Sequence, residues 1–353
     1  MMMICEQNRL AVAFAATTRT SVARRSSSSP SSSSSLLRVS SSIGSCLFVA
    51  AGFAIASLNQ PAFGFAFARS MSGSITSRDA SGNIFVTPRN EAKQSALVII
   101  THGLGDTSEG WLDAAEEFSQ RMPHIKFILP NAPVQRVTMN MGMSMPSWYD
   151  IVGLDARSAE NCKGIEESQA KLEKFLRDEH ENIGLPYERM ILAGFSQGGA
   201  LSLYTGLQLP HKIGGILVMS GYLPAKSKVK VTPGLEQTPI LHCHGTADPL
   251  VRLESAYQSK EAVIAMGVSN YEIKTYPMEH SACQEELVDV REFILKILPD
   301  DGACYVKLKD PKEMSVKELK EAIKRAGIGR KAIGFMEKSE YVNLLIQFRE
   351  GTL

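Results

Sequence analysis

Ile191-Leu192-Ala193-Gly194-Phe195-Ser196-Gln197-Gly198-Gly199-Ala200 is the stretch whose reading decides the fold. Residues 190–194 are apolar and few enough for an interior β-strand, and 199–207 are small and apolar enough for a core helix. Gly-Phe-Ser-Gln-Gly lies between them. A bare G-x-S-x-G match fits many ordinary turns, but strand, sharp turn and helix in this order are the context of a nucleophile elbow. Gly194 and Gly198 fit that turn, because it brings backbone and helix too close for a Cβ. Ser196 is then held at the end of the strand as a candidate nucleophile.

Working outward, apolar runs and helical periodicities alternate from Ile84 onward, which predicts a mostly parallel sheet covered by helices. The run 96–100 reads as a buried strand that delivers Thr101-His102-Gly103-Leu104-Gly105-Asp106 at its C-terminal end, where open α/β sheets build their sites. Glycines on both sides of Leu104 let a backbone N–H turn into the site, as an oxyanion hole requires. His102 precedes Ser196, whereas triads on this kind of sheet run Ser, acid, His, so a structural role is expected for it.

Residues 113–121 read as an amphipathic helix and 125–129 as the next strand. Pro130-Asn131-Ala132-Pro133 then opens a long loop ending at Asp150, with no clear periodicity. It carries Met139, Met141, Met143, Met145 and Trp148, flexible apolar side chains suited to an acyl groove. Residues 160–182 read as a surface helix, 213–220 as a strand, and Gly221-Tyr222-Leu223-Pro224 as a loop at the functional edge. The strand 239–245 delivers Thr246-Ala247-Asp248-Pro249-Leu250-Val251. After a helix over 253–266 and a strand over 271–276, His280 follows on a loop. Ser196, Asp248 and His280 thus come from separate loops at one sheet edge, in the required order.

The chain has 353 residues and a formal net charge of +1, which gives no electrostatic case for nucleic acid. Its six cysteines, Cys5, Cys46, Cys162, Cys243, Cys283 and Cys304, form no C-x-x-C pair and no Cys/His metal spacing. Free thiols and the absence of a metal site are expected.

Residues 1–80 differ from the rest. Between Arg9 and Arg69 there are arginines but no acid and no lysine, and 26–45 is largely serine, a composition that cannot bury enough surface to fold. The apolar run 43–58 is shorter than the roughly 20 residues that span a bilayer and suits a targeting segment. Two expectations stay open. Either this is an organellar leader, for plastid or mitochondrion, or translation starts at Met71 and the enzyme is cytoplasmic.

The motifs resemble the acyl-protein thioesterase / lysophospholipase / carboxylesterase family of α/β-hydrolases. Its runs match 101–107, 130–133, 143–150, 194–204, 244–251 and 280–283 in order, across 84–299. The resemblance implies a serine hydrolase for acyl thioesters or esters, with Ser196, Asp248 and His280 as the triad and the backbone N–H groups of Leu104 and Gln197 as the oxyanion hole. It implies Trp148 and Leu250 in the acyl pocket, while Tyr222 stands where relatives can carry Trp. With the loop reading of Met143 and Met145, these are the expected substrate-binding residues. S-acylated proteins, lysolipids or esters would be the substrates. No metal or organic cofactor is expected, and peripheral contact with a membrane fits such substrates.

Beyond Pro299 the resemblance ends. Ser315 and Glu318 form a capping box opening a helix through Arg325, with Gly327 as its stop, and a second helix is predicted over 339–348. The pair, 310–350, faintly resembles SAP-type helical modules. Its nearly balanced charge does not support nucleic-acid binding. A packed hairpin and a protein-binding module are both open. The expected architecture is therefore an α/β-hydrolase fold, a mostly parallel central sheet flanked by helices, with a small C-terminal helical hairpin.

Overall fold

The computed structural model describes residues 73–153 and 158–353. The leader reading, with its apolar run 43–58, lies almost wholly outside the described residues. Among those described, no helix is long and apolar enough to cross a membrane.

The strands, in chain order, are β1 (Ser74–Arg78), β2 (Ile84–Pro88), β3 (Ala96–Thr101), β4 (Ile125–Leu129), β5 (Val134–Val137), β6 (Met143–Pro146), β7 (Met190–Phe195), β8 (Gly215–Met219), β9 (Ile240–Gly245) and β10 (Tyr271–Tyr276). Eight form one sheet in the order β1-β2-β4-β3-β7-β8-β9-β10, and β5 pairs with β6 alone. From β4 to β10 every pairing in that sheet is parallel, with Ser196's strand β7 between β3 and β8. β1 and β2 add an antiparallel edge.

The central strands are apolar on both faces because both are covered, the usual condition of parallel sheets. Leu97, Ile99, Leu192, Ile216 and Val218 face a layer with helices α2 (Ile165–Ile183), α3 (Gln197–Gly206) and α4 (Leu253–Ala265). The alternate residues Val98, Ile100, Ile191, Ala193 and Leu217 face α1 (Leu112–Arg121) and α5 (Gln284–Ile297), through Phe118, Val290 and Ile294.

Two elements differ from the sequence reading. β1 lies inside the stretch assigned to the leader, and the supposed loop 130–150 contains the β5–β6 hairpin. Val134 (70% exposed), Met141 (79%) and Met143 (50%) leave most of this hairpin exposed, with only Val137 fully buried and Met145 packed against the core, so no period-2 apolar pattern marks it. Met141 takes a left-handed φ of 56° at its turn.

The C-terminal helices α6 (Val316–Arg325) and α7 (Lys338–Glu350) form as expected, with both bonds of the Ser315–Glu318 capping box present. They bury Leu319, Ile323, Leu345 and Phe348 in their own cluster, against which Ile75 of β1 packs. Below that cluster lies a buried ionic group. Lys126 donates to Glu179 (2.6 Å) and to the Arg325 carbonyl (2.9 Å), while Arg325 and Arg349 each donate to Glu91 at 2.9 Å. Burial pulls the Lys126 ammonium below its ordinary range, against the raising effect of Glu179. Glu91 is held below the usual carboxylate range: burial would raise it, but Arg325, Arg349 and Lys126 together outweigh that.

Candidate active site

Ser196 follows β7 and occupies the N-cap position of α3 in a conformation that residues with a side chain seldom adopt, φ 53° and ψ −119°. Such strain costs of order 1–3 kcal/mol and persists where its surroundings enforce it. Here they do: a Cβ at Gly198 would strike the carbonyl oxygens of Thr101 and His102, and one at Gly194 would strike Gly198 and the Thr101 hydroxyl. Thr101 Oγ1 lies 2.9 Å from the Gly198 carbonyl oxygen, which pins the elbow to β3.

Asp248 follows β9 and His280 follows β10, at the same C-terminal edge of the sheet. His280 Nε2 lies 2.9 Å from Ser196 Oγ, and its Nδ1 lies 2.6 Å from Asp248 Oδ2. An ionised carboxylate only accepts, so His280 carries its proton on Nδ1, and Nε2 is free to take the serine proton. The other oxygen of Asp248 accepts the backbone N–H groups of Leu250 and Val251, both at 2.9 Å. Phe195 packs against the His280 ring in a tilted arrangement, 4.9 Å between centroids.

The turn after β3 reaches the nucleophile as expected. An added Cβ at Gly103 would stand 3.5 Å from Ser196 Cβ, and Gly105 has a φ of 79° that turns the backbone past Leu104. Gln197 opens α3, where backbone N–H groups have no partner within the helix and the helix dipole is positive. Neither the Leu104 nor the Gln197 backbone N–H is bonded among the described residues, so both are available to an oxyanion. His102 is not part of this contact chain. It is buried, accepts the Ala132 N–H on Nε2 at 3.0 Å and donates from Nδ1 to the Gly103 carbonyl at 2.8 Å, and burial lowers its pKa.

The expected substrate-binding residues divide. Tyr222 and Leu250 line one cavity of about 540 Å³ with Leu223, Pro249, Val251 and Ala262, beside the loop that carries Asp248. Met143, Met145 and Trp148 do not line it. Met143 sits half-exposed near the open tip of the hairpin, while Met145, on the same strand, packs against the core. Met145 packs toward the oxyanion turn, its Sδ 3.8 Å from the position of a Cβ on Gly105. Trp148 is fully buried, because its indole N–H is committed to the His102 carbonyl at 2.8 Å. Tyr149 joins the site unforeseen, its hydroxyl 3.1 Å from that of Tyr222.

The Gln197 side chain was also missed. Its amide oxygen accepts the Trp148 N–H at 3.0 Å, and its amide nitrogen donates to Ser147 Oγ at 3.0 Å and to the Tyr149 carbonyl at 2.8 Å. The neighbouring Pro146 carbonyl accepts the Gly105 N–H at 2.9 Å. Residues 146–149 therefore tie the elbow to the oxyanion turn. No sequence periodicity signals such a clamp.

A serine strained upright after a central parallel strand, with an imidazole and a buried carboxylate brought to it from the next strand ends, places the protein among the α/β-hydrolases. Residues 83–298 match the family described as Phospholipase/Carboxylesterase, and the chain belongs to it. The acyl-protein thioesterase 1 of Mycosarcoma maydis is 40% identical over 232 residues, covering 61% of this chain and 97% of that protein. The acyl-protein thioesterase 1 homolog 1 of Dictyostelium discoideum is 41% identical, covering 58% and 92%. Among solved structures, Zea mays acyl-protein thioesterase 2 superposes with a TM-score of 0.53 at 26% identity, covering 61% of this chain and 98% of that one. Arabidopsis thaliana SOBER1 gives 0.52 at 29%, covering 57% and 99%.

Proposed function

We propose that the protein is a serine hydrolase of acyl thioesters and that S-acylated proteins are its substrates. The observation that carries this is the unbroken contact chain Ser196 Oγ, His280 and Asp248, at 2.9 and 2.6 Å, in a chain 40% identical to a protein named acyl-protein thioesterase 1. Ser196 attacks the acyl carbonyl while His280 Nε2 takes its proton and Asp248 steadies the imidazolium. The carbonyl oxygen, now charged, is met by the N–H groups of Leu104 and Gln197. Collapse of the tetrahedral adduct expels the thiolate, which takes the proton back from His280. Water, deprotonated by the same imidazole, then releases the acyl group from Ser196.

A thiolate leaves readily because its conjugate acid has a pKa of about 8.5. Lysophospholipids and short-chain esters would be opened by the same residues, and the family's description, phospholipase and carboxylesterase, favours this as the second reading. A binding protein on an inert scaffold would leave the aligned Ser196–His280–Asp248 contacts without a use. The test is kcat/KM for a palmitoyl thioester, a lysophospholipid and a short-chain ester measured side by side. The thioester is expected to lead; a lysophospholipid preferred over it would overturn the substrate assignment.

A further inference from the structure

β9 carries His242 and His244 two residues apart, so both side chains share the sheet face of Ile240, and both are fully buried. His244 Nε2 lies 2.7 Å from the Val251 carbonyl oxygen, which only accepts, so that nitrogen holds the proton. Burial lowers the pKa of His244 and pushes His242 down to about 3, with His244 as a second cause for the latter, so both rings are neutral. A neutral His244 protonated on Nε2 has an acceptor at Nδ1. That acceptor faces His242 Nε2 at 3.3 Å, which must therefore donate. His242 Nδ1 is then an acceptor as well, and Tyr271 Oη, 2.8 Å away, supplies the proton.

Every bond in this line has one allowed polarity. Tyr271 donates to His242, His242 to His244, and His244 to the carbonyl of Val251. Val251 is also the residue whose N–H holds Asp248 Oδ1 at 2.9 Å, and His244 Nε2 stands 3.7 Å from Asp248 Oδ2. The line ends on the turn that aims the carboxylate at His280.

We propose that His244, oriented through His242 by Tyr271, is a positioning residue that fixes the 248–251 turn and so holds Asp248 in line with His280. It touches neither substrate nor the reacting atoms and works by geometry alone. The inference rests on the triad reading above, not on the choice of thioester over ester.

The experiment uses the full chain as wild type, Tyr271→Phe, His244→Leu and His244→Gln. For each, the rate of Ser196 labelling by a fluorophosphonate, kcat and KM on a thioester, and Tm are measured. His244→Leu should lower labelling and kcat by up to about 10²-fold with KM little changed, the size of loss expected when a catalytic group is displaced by an ångström. Gln can still donate to the Val251 carbonyl, so His244→Gln should recover most of that loss. Tyr271→Phe, nearly isosteric and remote from Asp248, should fold normally and cost about threefold to tenfold, the worth of one hydrogen bond.

Wild-type rates in Tyr271→Phe together with equal losses in the Leu and Gln variants would overturn the proposal, as would losses in KM or Tm with kcat intact. Labelling reads the relay for any serine hydrolase, so a wild type that is labelled but spares thioesters would sink only the substrate assignment.

Discussion

Arg325 donates to Glu91 at 2.9 Å across 234 residues of sequence, and the pair is almost completely buried. It joins α6 of the C-terminal hairpin to the short turn before β3, and Arg349 of α7 reaches the other oxygen of the same carboxylate. The hairpin is thereby packed onto the hydrolase domain.

Removing one partner of a buried pair costs up to about 3–5 kcal/mol, here reduced because Arg349 still holds the other oxygen of Glu91. Arg325→Met should therefore lower Tm, with a single unfolding transition retained. Calorimetry that shows an unchanged Tm, or two separate transitions in the wild type, would contradict this docking.

A second buried carboxyl gives a pH dependence. Burial pushes Glu286 of α5 up to about 8, opposed only by the nearby backbone N–H of Cys283. In the unfolded chain its pKa is the ordinary value near 4.5. Between those values the folded protein keeps a proton that the unfolded chain has lost, so stability falls as pH rises, by about 1.4 kcal/mol per pH unit at most. Glu286→Gln should raise Tm relative to wild type at pH 8 and change it little near pH 4.5. Parallel Tm-versus-pH curves for the two proteins would refute the assignment.

The cavity beside Asp248 sets a prediction for acyl length. If Leu250 and Tyr222 receive the chain, each buried methylene contributes about 0.8 kcal/mol, so four more carbons raise kcat/KM by up to about two orders of magnitude. Leu250→Trp should flatten that dependence and spare acetyl thioesters. Met143→Ala, on the exposed hairpin, should leave the series unchanged. A series flattened by Met143→Ala and not by Leu250→Trp would place the acyl chain on the hairpin instead.

Because the first described strand begins at Ser74, a chain starting at Met71 retains every described strand of the sheet. It should be soluble and as active as the full chain. Loss of kcat at matched circular dichroism would assign the leader a part in the catalytic fold.

What the sequence made legible follows from burial. Ser196, Asp248 and His280 each follow a strand of the parallel sheet, and a strong apolar run announces where such a strand ends. The hairpin 134–146 stayed hidden because its strands pair only with each other and, apart from Val137 and Met145, contribute little to the core. β1 stayed hidden because its burial is partial and its residues are mostly polar, Ser74, Thr76, Ser77 and Arg78. Polar contacts between distant residues have no period at all, so neither the Gln197 clamp nor the Arg325–Glu91 pair could be read. His242 and His244 are an intermediate case: their i, i+2 spacing puts them on one strand face, but only the structure shows what that face meets.

The proposed chemistry depends most directly on Ser196 as nucleophile. The measurement is kcat/KM on a palmitoyl thioester, with intact-mass detection of fluorophosphonate labelling, for wild type, Ser196→Ala, Asp248→Asn and His280→Ala. Wild type should take up one label, at Ser196. Ser196→Ala should take up none and lose activity by a factor of roughly 10⁶, His280→Ala should lose about as much and Asp248→Asn about 10⁴, with folding intact in all three. Turnover by Ser196→Ala within tenfold of wild type, or a label carried elsewhere on the chain, would contradict it.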